Sequence, residues 1–232
     1  RPVYAYFEAH IEQGPILEAE SKIIGVVEGI QGIRWFDCTI VGEEAHAGPT
    51  PMHARRDALI GAAHLVQRIN AIAIQNKPHG RATVGQFRLF PNSRNVIPGK
   101  VSLTVDMRHP DPDALASMGG SLRTQFETTC KETELSGNLE EIWYSPPTNF
   151  ELTCVHIVER AAQLRQYSNM RIVSGAGHDA KYMADVCPTA MIFIPCKGGL
   201  SHNEMEDAED VHLVAGTQVL LDAALIKAME EE

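Results

Sequence analysis

The chain has 232 residues and a formal net charge of −10, with a pI near 5.5, and its length suits one large domain or two modest ones. This acidic balance, which no basic run offsets, excludes nucleic acid or an acidic membrane surface as the main partner. The sequence contains no apolar run of the ~18 residues that span a bilayer and no signal-peptide pattern, so we expect a soluble chain.

Cysteine usage indicates a reducing compartment. The cysteines are odd in number and show neither a CxxC pair nor the spacing of a metal finger; they are Cys38, Cys130, Cys154, Cys187 and Cys196. Unpaired thiols are typical of cytoplasmic proteins, so we expect reduced cysteines and a cytoplasmic location.

The first segment combines an apolar run with a group of polar side chains. Val3 to Phe7 reads as a strand without a leading polar segment, which indicates that the chain begins inside a domain. The polar group follows at once and comprises Glu8, His10, Glu12, Gln13 and Glu18. A second apolar run, Ile23 to Ile30, is interrupted by glycines, and we interpret Gly29 and Gly32 as a hinge or crossover into the next part of the chain.

A strand, a stiff turn and a helix then follow one another around a single histidine. The aromatic and β-branched residues of Arg34 to Val41 favour a strand, and apolar residues at helical spacing predict a helix from Asp57 to Ile74. Between them, residues 48–51 (Gly-Pro-Thr-Pro) form a turn that neither element would accept in its interior. His46 therefore lies on the rim of a strand-to-helix connection. From its position alone, His46 has two interpretations: it forms hydrogen bonds within its own loop, or it has a functional role.

The pattern continues as strand, strand, helix and strand. Ala82 to Phe90 and Val101 to Arg108 read as strands. Asp111 caps a helix whose first residue is proline, and Leu139 to Tyr144 reads as a short strand. With the preceding strand and helix, this is the order β-α-β-β-α-β, a ferredoxin-like arrangement with both helices on one face of an antiparallel sheet. We therefore predict a small domain over residues 33–145.

Alternating helices and strands resume after the consecutive prolines 146 and 147. The predicted elements are a helix at Leu152 to Leu164, a strand at Arg171 to Val173, a short helix toward Met183, a buried strand at Ala190 to Ile194 and a long helix at Val211 to Met229. This pattern suits an α/β layer with polar residues on the loops at the strand ends. We assign residues 1–32 and 146–232 to one α/β domain, which the small domain interrupts.

Three of the ten histidines lie in loops or at strand ends, beside small residues and carboxylates; they are His10, His178 and His202. A metal site needs imidazoles or carboxylates from separate strands, with acids that orient them. His10 and His202 each lie near glutamates in the sequence. No HExxH motif or short Cys/His cluster accompanies them, so on the residues alone a surface or hydrogen-bonded histidine explains each position as well.

Six segments carry a resemblance to a known family; they are Glu8 to Pro15, Gly42 to Met52, Asn95 to Gly99, Asp106 to Arg108, Gly175 to Ala180 and Leu200 to Glu204. In this order they resemble successive motifs of the hydantoinase/carbamoylase family of metal-dependent amidohydrolases, and the similarity runs over essentially the whole chain. The resemblance implies a partial α/β catalytic domain like that of the dinuclear zinc peptidases. The ferredoxin-like domain is then an inserted lid and dimerisation domain, which implies a homodimer.

The resemblance also implies a metal centre. His10 matches one metal ligand of the family, and His202 matches the ligand of a second metal. His178 and Asp179 match residues that surround these ligands. Two divalent ions are implied, and zinc, manganese, cobalt and nickel all suit mixed imidazole and carboxylate ligands.

For the substrate, the resemblance implies a small ureido or amide acid. His46 matches the catalytic histidine that contacts a substrate oxygen, and Asn95 and Arg108 match the substrate-binding pair. A guanidinium suits a carboxylate because it forms two parallel hydrogen bonds with it. Gln13 matches a residue of the pocket wall.

The implied activity is hydrolysis of carbon–nitrogen bonds in linear amides, converting an N-carbamoyl-L-amino acid to the amino acid, carbon dioxide and ammonia. Hydrolysis of allantoate is an alternative, as is the activity of a related aminoacylase or peptidase. The family's upstream histidine, bridging aspartate and paired glutamates have no counterpart in this sequence. We therefore expect a C-terminal portion with impaired catalysis, and a non-catalytic dimerisation or binding fragment is a further alternative.

Overall fold

The computed structural model describes residues 3–230 and divides them into two compact units. Unit 1 consists of residues 3–31 and 148–230, and unit 2 is the contiguous segment Gly32–Pro147. Each unit has its own hydrophobic core. The mixed α/β class expected from the sequence is confirmed.

The elements are numbered here in chain order. The first segment of unit 1 contains β1 (Tyr6–Ile11), α1 (Ile16–Ala19) and β2 (Ile24–Ile30). Unit 2 contains β3 (Gly32–Val41), β4 (Ala45–His46), α2 (Ala58–Gln75), β5 (Arg81–Phe90), β6 (Val96–Ile97), β7 (Lys100–His109), α3 (Pro112–Glu132) and β8 (Ser136–Ser145). The second segment of unit 1 contains β9 (Thr148–Asn149), α4 (Leu152–Leu164), β10 (Asn169–Ser174), α5 (Ala180–Met183), β11 (Thr189–Ile194) and α6 (Asp210–Met229).

Unit 1 is built on a mixed sheet with the order β1-β11-β2-β10, and β9 also pairs with β2. β1 runs parallel to β11, β11 antiparallel to β2, and β2 parallel to β10. Every residue of β11 is buried. α4 and α6 contribute apolar side chains to the same core. This packing makes β11 the central strand against which β1, and with it His10, is held.

The structure corrects the bounds of the strand at the beginning of the chain. The first strand is not Val3 to Phe7 but Tyr6–Ile11, because each of these residues has a partner in β11. Pairing with a buried strand thus overrides the local apolar pattern. The glycine-containing run forms β2, a strand in the middle of the sheet, and the chain crosses into unit 2 between Gln31 and Gly32. A Cβ atom on Gly25 would lie only 2.9 Å from the Cβ atom of Phe193, so this glycine permits close strand packing.

Unit 2 has the strand order β5-β7-β3-β8, and all neighbouring strands are antiparallel. The four strands of this sheet and the two helices α2 and α3 follow one another in the order β-α-β-β-α-β. The short strands β4 and β6 form a separate two-stranded ribbon. Alternate residues of β3 and β7 face the helices and are buried; they are Phe36, Cys38, Ile40, Val101, Leu103, Val105 and Met107. The side chains between them lie on the other side of the sheet, which we call the helix-free face and which carries Trp35, Asp106 and Arg108.

Both long helices of unit 2 begin at aspartate caps. The Asp57 side chain accepts a hydrogen bond from the Leu59 N–H, and the Asp111 side chain accepts one from the Ala114 N–H. Pro112 occupies the first turn of α3, where its missing N–H costs nothing. The predicted start of α3 is therefore confirmed.

α6 is long and apolar enough, by length and composition alone, to cross a membrane. Ala215, Gly216, Val219 and Ala223 are its buried residues, and the three that are not glycine belong to the unit 1 core. One helix of this kind is weak evidence for a membrane span.

The cap of α3 can be tested directly. We expect Asp111→Ala to lower the free energy of unfolding by about 1 kcal/mol, because the N–H groups of the first turn lose their acceptor. Asp111→Asn is the matched control, since the amide oxygen still accepts the hydrogen bond. Urea denaturation followed by circular dichroism measures both variants. Equal destabilisation by the two substitutions would contradict the capping role.

Candidate functional site

In unit 1, His10 lies near the end of β1 with one ring nitrogen held. Its Nδ1 atom is 2.8 Å from the carbonyl oxygen of Ile11. Its ring is edge-on to that of His178, with the ring centroids 4.7 Å apart. A carbonyl oxygen only accepts hydrogen bonds, so the Nδ1 atom of His10 donates and its Nε2 atom keeps a lone pair. This is the orientation in which imidazoles bind metals.

His178 is a buried neighbour that braces this region. Its Nε2 atom is 2.8 Å from the Ser174 hydroxyl oxygen, and its Nδ1 atom lies 3.7 Å from the Glu8 carboxylate. Burial lowers the pKa of His178 to about 4, and the neighbouring His10 lowers it as well. Glu8, His178 and Ser174 follow the order of an acyl-transfer triad, but Ser174 is fully buried, so its hydroxyl cannot reach a substrate. The Ser174 hydrogen bond fixes the His178 ring, which packs edge-on against His10.

The other predicted residues of unit 1 lie on loops. Gln13 and His202 both have positive φ angles, of 59° and 58°, and their Nε2 atoms are 3.5 Å apart. The Glu206 carboxylate accepts hydrogen bonds from the Ser201 hydroxyl and the His202 N–H. These bonds hold the pKa of Glu206 below its ordinary value. Asp179 is exposed at the start of α5.

The described residues do not by themselves form a complete metal-binding group. The Nε2 atom of His10 is suitably presented, and His202 is exposed on its loop. However, a catalytic zinc ion takes three protein ligands, and residues 3–230 contain no group of three or more histidine, cysteine, aspartate or glutamate side chains placed to hold a metal. His10 and His202 therefore fit the role of single ligands, and further ligands are needed.

In unit 2, a small ribbon brings His46 together with the segment that begins at Asn95. β4 pairs with β6 so that His46 lies opposite Val96, and the Ala47 N–H donates to the Asn95 carbonyl oxygen at 2.9 Å. The Nδ1 atom of His46 accepts a hydrogen bond from the Gly48 N–H at 3.0 Å. The His46 ring is therefore fixed on one side, and its Nε2–H is the group left to act as a donor.

Two features fix the loop that carries His46. The Arg55 guanidinium donates to the carbonyl oxygens of Ala47 and Thr50, at 2.7 and 3.2 Å, and so clamps the proline-containing turn. At the other end of the loop, a Cβ atom on Gly42 would lie 2.0 Å from the Arg56 carbonyl oxygen. Only glycine allows this close approach of two backbone segments.

Arg108 lies on the helix-free face of unit 2 and forms an ion pair along its own strand. Its Nε and Nη2 atoms donate to the two carboxylate oxygens of Asp106, both at 2.7 Å. Asp106 also accepts a hydrogen bond from the indole N–H of Trp35 at 2.8 Å. Arg108, the predicted carboxylate-binding residue, is thus bound by Asp106, which is in turn bound by Trp35. The sequence analysis assigned neither Asp106 nor Trp35 to the site.

Sequence reasoning did not identify four residues that hold the candidate site residues in place, and only one of them could have been found from the sequence pattern. Asp106 stands two positions before Arg108, so strand alternation places both on one face. The role of Trp35 becomes visible only when the pairing of β3 with β7 is known. Glu206 and Arg55 act through contacts within loops, which no periodic sequence pattern reveals.

Comparisons with known proteins agree with the resemblance. The sequence matches the profile of peptidase family M20/M25/M40 over residues 1–226. It is 45% identical over 225 residues to the N-carbamoyl-L-amino-acid amidohydrolase of Rhizobium meliloti, covering 97% of this chain and 54% of that protein. It is 36% identical over 224 residues to the allantoate amidohydrolase of Escherichia coli K12, covering 94% of this chain and 53% of that protein.

A solved structure agrees closely as well. The hydantoinase/carbamoylase family amidase from Burkholderia multivorans matches with a TM-score of 0.95 and 53% identity, covering 98% of this chain and 56% of that one. The chain spans about half the length of the curated relatives that it matches.

The hydrogen bonds predict opposite neutral tautomers for the two candidate histidines. We expect the proton on Nε2 in His46, whose Nδ1 accepts a hydrogen bond, and on Nδ1 in His10, whose Nδ1 donates one. Correlation of the ring ¹⁵N and carbon-bound ¹H resonances, recorded above the ordinary titration range of histidine, distinguishes the tautomers. His46→Asn and His10→Asn variants assign the signals. The same tautomer at both positions would contradict the assignment.

Proposed function

Because the chain belongs to peptidase family M20/M25/M40, we propose that it is part of a metal-dependent hydrolase of linear amides that acts on N-carbamoyl-L-amino acids. The observation that carries the proposal is the β4–β6 ribbon, which sets His46 beside the segment of Asn95. The 45% identity to an N-carbamoyl-L-amino-acid amidohydrolase supports the substrate class.

Each substrate-binding residue of unit 2 has a role that suits its chemistry. The Nε2–H of His46 donates to the oxygen that becomes negatively charged as the ureido carbon is attacked; losing one such donor costs about 3 kcal/mol of transition-state stabilisation. Asn95 supplies amide hydrogen bonds from the neighbouring segment. Arg108 binds the carboxylate of the substrate, and the cationic fork favours an acid over a neutral amide.

Unit 1 supplies single metal ligands. In the proposal, His10 and His202 each bind one of two divalent ions, His178 and Asp179 surround them, and Gln13 forms part of the pocket wall. The ions, when bound, supply the polarised water for hydrolysis, and zinc, manganese, cobalt and nickel all suit these ligands. Because the described residues do not complete the site, the proposal requires carboxylate ligands and a general base in addition to them.

Two alternatives have an observation in their favour. The 36% identity to an allantoate amidohydrolase favours allantoate, which also presents a ureido group and a carboxylate. The incomplete metal centre of residues 3–230 favours a non-catalytic binding fragment. A homodimer formed through unit 2 and a cytoplasmic location complete the proposal; the location agrees with the absence of disulfides among the five cysteines.

Substrate and activity are tested together by assays with added zinc or manganese. We expect faster turnover of N-carbamoyl-L-alanine than of allantoate, measured as released ammonia. Faster turnover of allantoate would move the assignment to the alternative substrate. Binding without turnover would favour the binding fragment, and neither binding nor turnover would contradict the proposal.

The role of Arg108 has a separate test. We expect Arg108→Ala to reduce the preference for N-carbamoyl-L-alanine over its carboxamide at least tenfold, since a hydrogen bond to a charged group contributes about 1.5–3 kcal/mol. Isothermal titration calorimetry measures both ligands. Arg88→Ala is the matched control, because Arg88 is an exposed arginine on the neighbouring strand β5, opposite Ser102. An unchanged preference in Arg108→Ala would contradict the assignment of the carboxylate site.

A further inference from the structure

We propose that Asp106 and Trp35 are positioning residues that hold the Arg108 guanidinium in one orientation for substrate binding. This inference rests on the proposed function, because it takes Arg108 as the residue that binds the substrate carboxylate. It adds two residues to that site, and both act through Arg108 instead of touching the substrate.

The first support is the geometry of the Asp106–Arg108 pair. Both residues lie on β7 two positions apart, so their side chains emerge on the same face. Nε and Nη2 of Arg108 each meet a different oxygen of the Asp106 carboxylate at 2.7 Å. Two parallel bonds of this kind fix the plane of the guanidinium as well as its position.

The second support is the contact that fixes Asp106 itself. Trp35 lies directly opposite Asp106 in the β3–β7 register, and its indole N–H donates to the carboxylate at 2.8 Å. Trp35 in turn lies opposite Trp143 on β8, with the ring centroids 4.6 Å apart. The Asp106 carboxylate that binds the guanidinium is therefore itself held by the Trp35 indole from the neighbouring strand.

Stability alone does not account for this arrangement. The Arg108 and Asp106 side chains are 29% and 25% exposed, and ion pairs that solvent reaches add little to folding. Trp35 and Trp143 are 41% and 39% exposed. These contacts instead restrict the Arg108 side chain before the ligand binds. A restricted arginine loses less conformational entropy on binding a carboxylate, which strengthens binding.

Electrostatics alone predicts the opposite effect of Asp106. A negative charge beside a carboxylate-binding arginine repels the ligand, so its removal would strengthen binding. Positioning predicts that its removal weakens binding, because the guanidinium loses the two parallel hydrogen bonds that fix its plane. The sign of the change in Asp106→Ala therefore separates the two explanations.

The experiment compares variants of the whole chain by calorimetry, with N-carbamoyl-L-alanine and its carboxamide as probes. We expect Asp106→Ala to reduce the preference for the carboxylate about tenfold, as small misplacement of a binding group commonly does. Asp106→Asn, which keeps one acceptor, restores part of the preference. Trp35→Phe, which keeps a ring but removes the N–H, reduces it, whereas Trp143→Phe leaves it unchanged.

A second readout does not depend on ligand binding. The chain has two tryptophans, and they are Trp35 and Trp143, so its amide spectrum contains two indole N–H signals. We expect Asp106→Ala to shift the Trp35 signal strongly and to change the Trp143 signal little. Thermal unfolding of each variant confirms that it is folded, and Asp106→Asn replaces Asp106→Ala if the latter does not fold.

The outcomes separate this inference from the proposed function. Equal or stronger carboxylate preference in Asp106→Ala or Asp106→Asn overturns the positioning role, even if Arg108→Ala abolishes the preference. If Arg108→Ala leaves the preference intact, the proposed carboxylate site itself is wrong. Loss in both Arg108→Ala and Asp106→Ala, with the Trp35 signal displaced, supports both.

Discussion

The alternation of side chains along β3 and β7 divides unit 2 into a core and the helix-free face that carries the proposed carboxylate site. Phe36 and Val105 lie opposite each other beneath the helices, and one position along each strand Trp35 and Asp106 lie opposite each other on the helix-free face. A slip of one residue in register would exchange the two faces and bury a carboxylate. The apolar core beneath α2 and α3 therefore also fixes the pairing on which the geometry of Arg108 depends.

Much of unit 2 follows from local sequence signals. Helical spacing identifies α2, the Asp111 cap and its following proline identify the start of α3, and strand patterns identify β3, β5, β7 and β8 to within a few residues. The β4–β6 ribbon has only two residues in each strand, too few for any period to show. The pairing of Trp35 with Asp106 also escapes sequence reasoning, because register between strands depends on the whole sheet and not on the residues of either strand.

In unit 1, the sequence motifs identify the family, whereas the contacts among the candidate residues become visible only in the structure. The resemblance of six motifs is confirmed by the family match, whereas the roles of His10 and His202 remain predictions. Local sequence could not show that β1 extends as far as Ile11, since this extension comes from pairing with β11. Nor could it show that the His178 ring lies against that of His10, because the two rings come from segments that are distant in sequence.

The division of unit 1 into two chain segments has a consequence for the order of folding. Unit 2 is a single contiguous segment of the chain, so during synthesis all strands of its sheet are present once β8 has been made. In unit 1, Tyr6 pairs with Thr189, so the β1–β11 ladder must wait for the late strand. Such distant pairings form slowly because a long loop has to close first. Until then β1 lacks its β11 partner, and an unpaired strand in a nascent chain is open to aggregation and to chaperones.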